Sequence, residues 1–239
     1  MGPVVGGWIV ALPLVSGPVV FFLALDQGTS FAAAAAQGSL TGAVAQAGFC
    51  LAYGWSAKVG RWPLALAGGA LGFALPALAL QAAPRPPLAL LVAIIPCCVV
   101  LTLSMMTPTS AADGAPASLN RWDIPTRMVT GTVAVVALTQ AAPLLGPRFS
   151  GLLAAFPVIT TVLAVFTRRA HGPRHANAVP RGLLLGVFSF VAFYAVLGIT
   201  VERVGIGGAF AAASGAALLV HALTAAILRN KLGGRVSGA

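Results

Sequence analysis

Four acidic residues in a chain of 239 restrict what this sequence can become more than any other feature. A water-soluble domain carries about 25% charged residues over a surface that water must solvate. Here Asp, Glu, Lys and Arg together make up 8% of the chain, and hydrophobic residues 59%. Such a chain cannot cover itself with polar groups; the solvent its surface suits is hydrocarbon. The apolar runs are about 20 residues long, enough for a helix to cross a bilayer. They lack the apolar–polar alternation of a membrane barrel strand. The expected fold class is therefore all-α, a polytopic membrane helix bundle.

Breaks at Asp26-Gln27-Gly28, Lys58–Pro63, Pro84-Arg85-Pro86, the polar stretch 107–126, Gly146-Pro147, the basic loop 167–181 and Glu202–Gly205 delimit eight transmembrane helices. They fall at about 4–25, 31–57, 62–82, 87–105, 127–146, 149–167, 181–200 and 206–228. The second is expected to be helical from about Ala34. Residues 1–25 lack the basic start of a secretory signal and belong to the fold. An even number of spans places both termini on one side. That side holds Lys58, Arg61, Arg121, Arg127, Arg168, Arg169, Arg174, Arg181, Arg229, Lys231 and Arg235; the other holds Arg85, Arg148 and Arg203. Basic loops stay in the cytoplasm, so both termini are expected there. The Ala-, Gly-, Pro- and Arg-rich composition suits a GC-rich bacterial genome, hence the inner membrane. The net charge of +10 follows from this topology and calls for no nucleic acid. The expected partners are the lipid bilayer, anionic lipid headgroups at the cytoplasmic face, and a second copy or another membrane protein.

The chain also resembles itself. Residues 2–54 laid on 146–198 without gaps match at about 14 of 53 positions, where chance at this composition gives about five. The matches include Pro3/Pro147, Gly7/Gly151, Pro13/Pro157, Phe22/Phe166, Gly42/Gly186, Phe49/Phe193 and Gly54/Gly198; one residue of extra offset continues them to Lys58/Arg203. The first span thus matches the sixth. An odd separation turns the two copies opposite ways across the membrane, the inverted-topology repeat found in secondary transporters. The organisation expected is a first repeat at 1–83 with three spans, a linker helix and cytoplasmic loop at 84–126, and a second repeat at 127–239 with four. The counterpart of span 127–146 would precede Gly2; an upstream start or the loss of one helix accounts for it.

The stretch Arg127 to Gly198 resembles the small four-span inner-membrane proteins of the GlpM type. The likeness rests on the N-terminal basic residue, a short span, the run Ser150-Gly151-Leu152-Leu153-Ala154-Ala155-Phe156-Pro157, and a second span ending in a polar loop. It covers about one copy, more faintly the other, and implies a helical membrane fold but no particular activity. Inverted four- or five-span copies are loosely similar to the drug/metabolite transporter superfamily, which implies transport. This chain lacks the membrane-embedded carboxylate of that superfamily's small multidrug members, so proton-for-cation exchange through a buried Glu is not expected.

Chemistry concentrates at two prolines. Pro13 is followed by Ser16 and Gly17, and Pro157 by Thr160 and Thr161. A mid-span proline removes a backbone donor and crowds the carbonyl four residues back, here Ile9 and Leu153. Paired breaks in inverted halves point to a central substrate-binding site; structural kinks packed closely through Gly6, Gly7 and Gly151 are the alternative. His221 is the histidine inside a span, with Thr224 on its face; it can shuttle protons or hydrogen-bond a neighbouring helix. Arg127, behind Trp122 and the helix-starting Asp123 and Pro125, can anchor the interface or grip an anionic substrate. Gln46, Gln140, Ser189 and Ser214 suit interhelical hydrogen bonds. Arg168, Arg169 and Arg174 suit lipid headgroups or topological anchoring, and Gly172 and Pro173 separate His171 from His175, against a metal site. Cys50, Cys97 and Cys98 read as packing residues. No catalytic set can be assembled and no cofactor motif is present, so the expectation is a small transporter or permease for a small solute or amphiphile. The alternative is a membrane scaffold or accessory subunit, packed on a partner through Gly- and Ala-rich faces.

Overall fold

A computed structural model describes residues 3–14, 16–59, 61–82, 86–106, 125, 128–130, 132–133, 136, 140, 152, 155–171 and 177–233. Among these, regular structure is entirely helical: α1 (Pro3–Val10), α2 (Ser16–Gln27), α3 (Thr29–Val59), α4 (Trp62–Ala82), α5 (Leu88–Met105), α6 (Val158–His171) and α7 (Ala178–Gly233). Three segments are long and apolar enough to cross a membrane: Trp62–Ala82, Leu88–Met105 and Ala178–Ile227. Their outer faces display Leu64, Leu71, Leu75, Leu78, Ile94, Val100, Leu219 and Leu223, each at least 40% exposed. Apolar area on that scale does not face water in a soluble monomer; this is a membrane protein. Most of the expected span 127–146 and the loop before it lie outside the described residues.

Element boundaries follow local chemistry. Gly28 alone separates α2 from α3, in the left-handed conformation with φ +88°. A glycine takes that conformation without a Cβ penalty, so α3 starts at Thr29, five residues before the expected Ala34. The expected first span is two helices rather than one, broken at 11–15. In the expected span 149–167, helix α6 starts only at Val158 and runs on to His171. Gly205 (φ 76°, ψ 173°) interrupts α7. Ser189 and His221 lie within hydrogen-bond distance although 32 residues separate them; a straight helix would hold them about 48 Å apart. The chain therefore folds back at Gly205 into two arms, 178–204 and 206–233, at the break expected there.

Helix α3 is the centre. Ala32, Ala36, Leu40, Ala43, Ala47, Cys50, Tyr53 and Ala57 are all buried, at helical spacing. Its small residues let neighbours approach closely. A Cβ at Gly48 would collide with the Gly72 carbonyl of α4, and one at Gly72 with Ala52. On the other side, Gly182 and Gly186 of α7 admit α1: a Cβ at Gly182 would strike the Val4 carbonyl, and one at Gly186 would strike Trp8 and Ala11. Gly7 packs on Val179 in the same interface, as the close-packing alternative expects, whereas among the described residues nothing lies within 4 Å of a Cβ at Gly6. On α3, a Cβ at Gly42 would strike Ala155 and approach Leu152. The small-residue faces of α3, α4 and the first arm of α7 are thus occupied within the chain, whereas Gly207, Gly208, Ala211, Ala212 and Gly215 on the second arm of α7 are exposed.

Helix α5 lies between α3 and α7 and is held at both ends. At its start, the Gln37 side-chain amide donates to the Pro86 carbonyl at 2.8 Å, and Gly198 meets Leu88. At its end, Arg181 donates to the carbonyls of Met106 (2.8 Å) and Leu103 (3.3 Å), and Gly54 meets Met106. Arg168, only 8% exposed, donates to the Ala57 carbonyl in the last turn of α3. A cation there also complements the negative end of the helix dipole. Arg168 and Arg181 are therefore structural caps, a role absent from the sequence reading.

Candidate functional site

The two prolines lie at full breaks rather than kinks. Around Pro13 the Ala11 amide donates to Trp8 (3.2 Å), Leu14 to Leu12 (2.7 Å) and Gly17 to Pro13 (2.9 Å). Around Pro157 the Ala155 amide donates to Leu152 (3.1 Å), Val158 to Phe156 (2.8 Å) and Thr161 to Pro157 (2.8 Å). Each bond of the first set has its counterpart 144 residues on. The exposed carbonyls at the second break find side-chain donors, as a break inside an apolar medium requires. Gln46 Nε2 donates to Ala155 (2.6 Å) and the Thr161 hydroxyl to Pro157 (2.8 Å).

Ser16 and Thr160 occupy the same position in the two breaks, each in the first turn of the helix that follows. Both are buried, at 6% and 0% exposure. The Ser16 and Ser39 hydroxyls lie near the Tyr194 hydroxyl without hydrogen-bonding it. Among the described residues, the Thr160 hydroxyl, Gln46 Oε1 and the Tyr194 hydroxyl are buried without a hydrogen-bond partner. These groups can take up polar atoms of a ligand next to two helix N-termini, whose free amides and positive dipole ends favour acceptors.

The chain matches no family model, no curated protein and no solved structure.

A second polar cluster surrounds His221, 8% exposed. Its ring stacks on Trp8 of α1, centroids 3.7 Å apart and planes 14° from parallel. Its Nδ1 lies 2.9 Å from the Ser189 hydroxyl. Thr224, one turn on, donates to the His221 carbonyl (2.8 Å) and accepts from Trp8 Nε1 (3.3 Å). The cluster ties α1 to both arms of α7 through one of the two roles considered for His221, an interhelical hydrogen bond. Trp8 went unrecognised in the sequence because a tryptophan near a span end reads as an interfacial anchor. A His221→Ala variant loses the ring stack, worth about 0.5–1.5 kcal/mol, and the Ser189 bond, worth about 0.6–1.7 kcal/mol inside a membrane. Its thermal midpoint in detergent should fall measurably, and Ser189→Ala should lower it less. Equal midpoints would show that the cluster bears no load.

Between the Pro13 break and α7 lies an apolar groove of about 430 Å³, lined by Pro13, Gly17, Phe21, Phe193, Phe210 and Ser214 among others. Of the expected site residues, Pro13 and Gly17 line this groove, Ser16 turns inward to Tyr194, and Pro157, Thr160 and Thr161 belong to the other break. His221 stands about one turn along α7 from the groove residues Ala217 and Leu218. Arg127 and Gly151 lie outside the described residues, as does the whole 172–176 loop with His175. No group of three metal-ligating side chains occurs among the described residues. Cys50 is buried, whereas Cys97 is exposed on the outer face of α5.

Proposed function

We propose that this chain is a small secondary transporter of the bacterial cytoplasmic membrane, carrying a small solute or amphiphile through an eight-span bundle of two inverted repeats. The observation that carries the proposal is the repetition, 144 residues apart, of one broken-helix backbone: three hydrogen bonds at Pro13 recur at Pro157. Discontinuous helices at corresponding positions of inverted halves are where such transporters bind substrate. Two further observations support it. The Gly186 contact with Trp8 and Ala11 has its counterpart, residue for residue, in the Gly42 contact with Leu152 and Ala155. Gln37 and Arg181, also 144 apart, grip opposite ends of the single helix α5; copies running the same way would meet it at the same end.

On this reading Pro13, Ser16, Gly17, Pro157, Thr160 and Thr161 surround the substrate, and the two halves rock about α5. Coupling would run through His221 or through the substrate's own charge, with Arg127 as a further contact for an anion. The cytoplasmic arginines meet anionic headgroups, both termini are cytoplasmic, and the chain is a duplicated relative of the GlpM-type proteins.

The test is a ligand-dependent stability screen on purified protein, wild type beside a Pro157→Ala, Thr160→Ala, Thr161→Val variant. A ligand at 100 times its Kd adds about 2.7 kcal/mol. The expected result is a compound among amines, organic anions, sugars and lipid headgroups that raises the midpoint of wild type but not of the variant. A screen without any shift would remove the central site and favour a scaffold.

A further inference from the structure

The groove beside Pro13 has a companion that is not empty. Leu12 and Phe193 of the groove correspond, 144 residues away, to Phe156 and Phe49. Leu218 corresponds to Phe73 once the one-residue shift that also relates Lys58 to Arg203 is included. In that second place Phe156 packs edge-on against Phe49 (centroids 6.1 Å apart) and Phe73 (5.1 Å). A phenyl ring thus stands in the corresponding place of the other half. Leu12, without a ring to insert, leaves the groove beside Pro13 open over Gly17 and Ser214.

The open cleft lies on the membrane side of the protein. Its rim residues Leu14, Phe22 and Leu218 are 60%, 67% and 61% exposed, and among the described residues no charged side chain lines it. A void of this size beside hydrocarbon forfeits dispersion contacts on every wall, and the medium at its mouth supplies chains rather than water. We propose that this groove binds the hydrocarbon chain of a single-tailed amphiphile that enters sideways from the bilayer. The chain takes the place that Phe156 takes in the other half. This deepens the transporter reading, on which its meaning rests, by naming the substrate class.

Installing the companion's own residue tests it. Leu12→Phe should plug the groove while keeping the fold, and should leave thermal stability without ligand unchanged or raised, as cavity filling does. Gly17→Leu is the second plug: its Cβ would sit 3.5 Å from Phe193, an ordinary contact, with the rest of the side chain in the groove. The reporter is Phe210→Trp in the full chain, with Trp8, Trp55, Trp62 and Trp122 changed to Phe, reconstituted in nanodiscs. The probes are a mid-chain dibrominated fatty acid, the matching long-chain amine and the matching lysophosphatidylcholine.

Expected is quenching that saturates near one probe per protein, weakened at least tenfold by either plug; the probe that binds tightest tells which headgroup is preferred. Quenching that rises without saturation, or that both folded plug variants retain, would reduce the groove to ordinary lipid contact and overturn the proposal. Saturable binding by a protein that moves no amphiphile across vesicles would keep the groove and remove transport.

Discussion

A Gly182→Leu variant should lower the thermal midpoint by roughly 6–12 °C, or fail to accumulate as folded protein. The reason is backbone, not side chain. A Cβ at this position meets the Val4 carbonyl and the Trp8 amide, and neither can rotate out of the way. Overpacking costs about 1–3 kcal/mol where side chains can shift, and for a chain of this length each kcal/mol moves the midpoint by about 2–4 °C. Here α1 must move as a whole, which separates Trp8 from His221 and opens the Gly7 contact with Val179. Gly42→Leu should behave alike, because its Cβ meets Ala155 and Leu152 in the corresponding place. The control is Gly215→Leu, where nothing among the described residues lies within 4 Å of an added Cβ. Leucine is the better helix former by under about 1 kcal/mol, so that midpoint should hold or rise. Equal midpoints for the Gly182 and Gly215 variants would mean that α1 does not pack on α7 in this way.

How much of this was legible in the sequence depends on what each feature requires. The membrane setting was legible from composition, since four acids cannot solvate a surface whatever the fold. The turns at Gly28 and Gly205 were legible as breaks because glycine beside polar residues marks them. The broken character of the Pro13 and Pro157 segments was only half legible. Proline announces a disturbed helix, but whether the chain bends or stops depends on donors from elsewhere, and the amide that covers Ala155 comes from Gln46, 109 residues away. The same holds for Trp8, Arg168 and Arg181. Each acquires its role from a partner remote in sequence: Thr224 and His221, the Ala57 carbonyl, and the end of α5. Periodicity assigns a residue to a face and cannot assign it a partner. Helix α3 is instructive in the opposite sense. It is the most buried helix, yet it is not among the three segments apolar enough to stand out. Between its ends it faces protein on nearly all sides, and close packing selects Ala, Gly, Ser and Thr there rather than Leu.

The largest effect to be expected is all-or-none, and it concerns orientation. In a background with Cys50, Cys97 and Cys98 replaced by alanine, Gln27→Cys at the end of α2 should react with a membrane-impermeant maleimide in whole cells. His171→Cys at the end of α6 should react only after permeabilisation. Both positions are 144 residues apart, and both end the helix that follows a proline break. Copies repeated in the same sense would label together. Opposite labelling is expected because α5 has direction. Gln37 reaches the carbonyl that precedes its first turn, and Arg181 reaches the carbonyls of its last. Gly198 and Gly54, another pair 144 apart, touch Leu88 and Met106 at its two ends. On the proposed inverted reading, one copy is turned over relative to the other about an axis crossing α5 near its middle, and corresponding residues then meet its opposite ends. Labelling of both cysteines from the same side would break that inference. It would also take with it the rocking of two opposed halves on which transport depends, while leaving the groove beside Pro13 to be judged by its own binding.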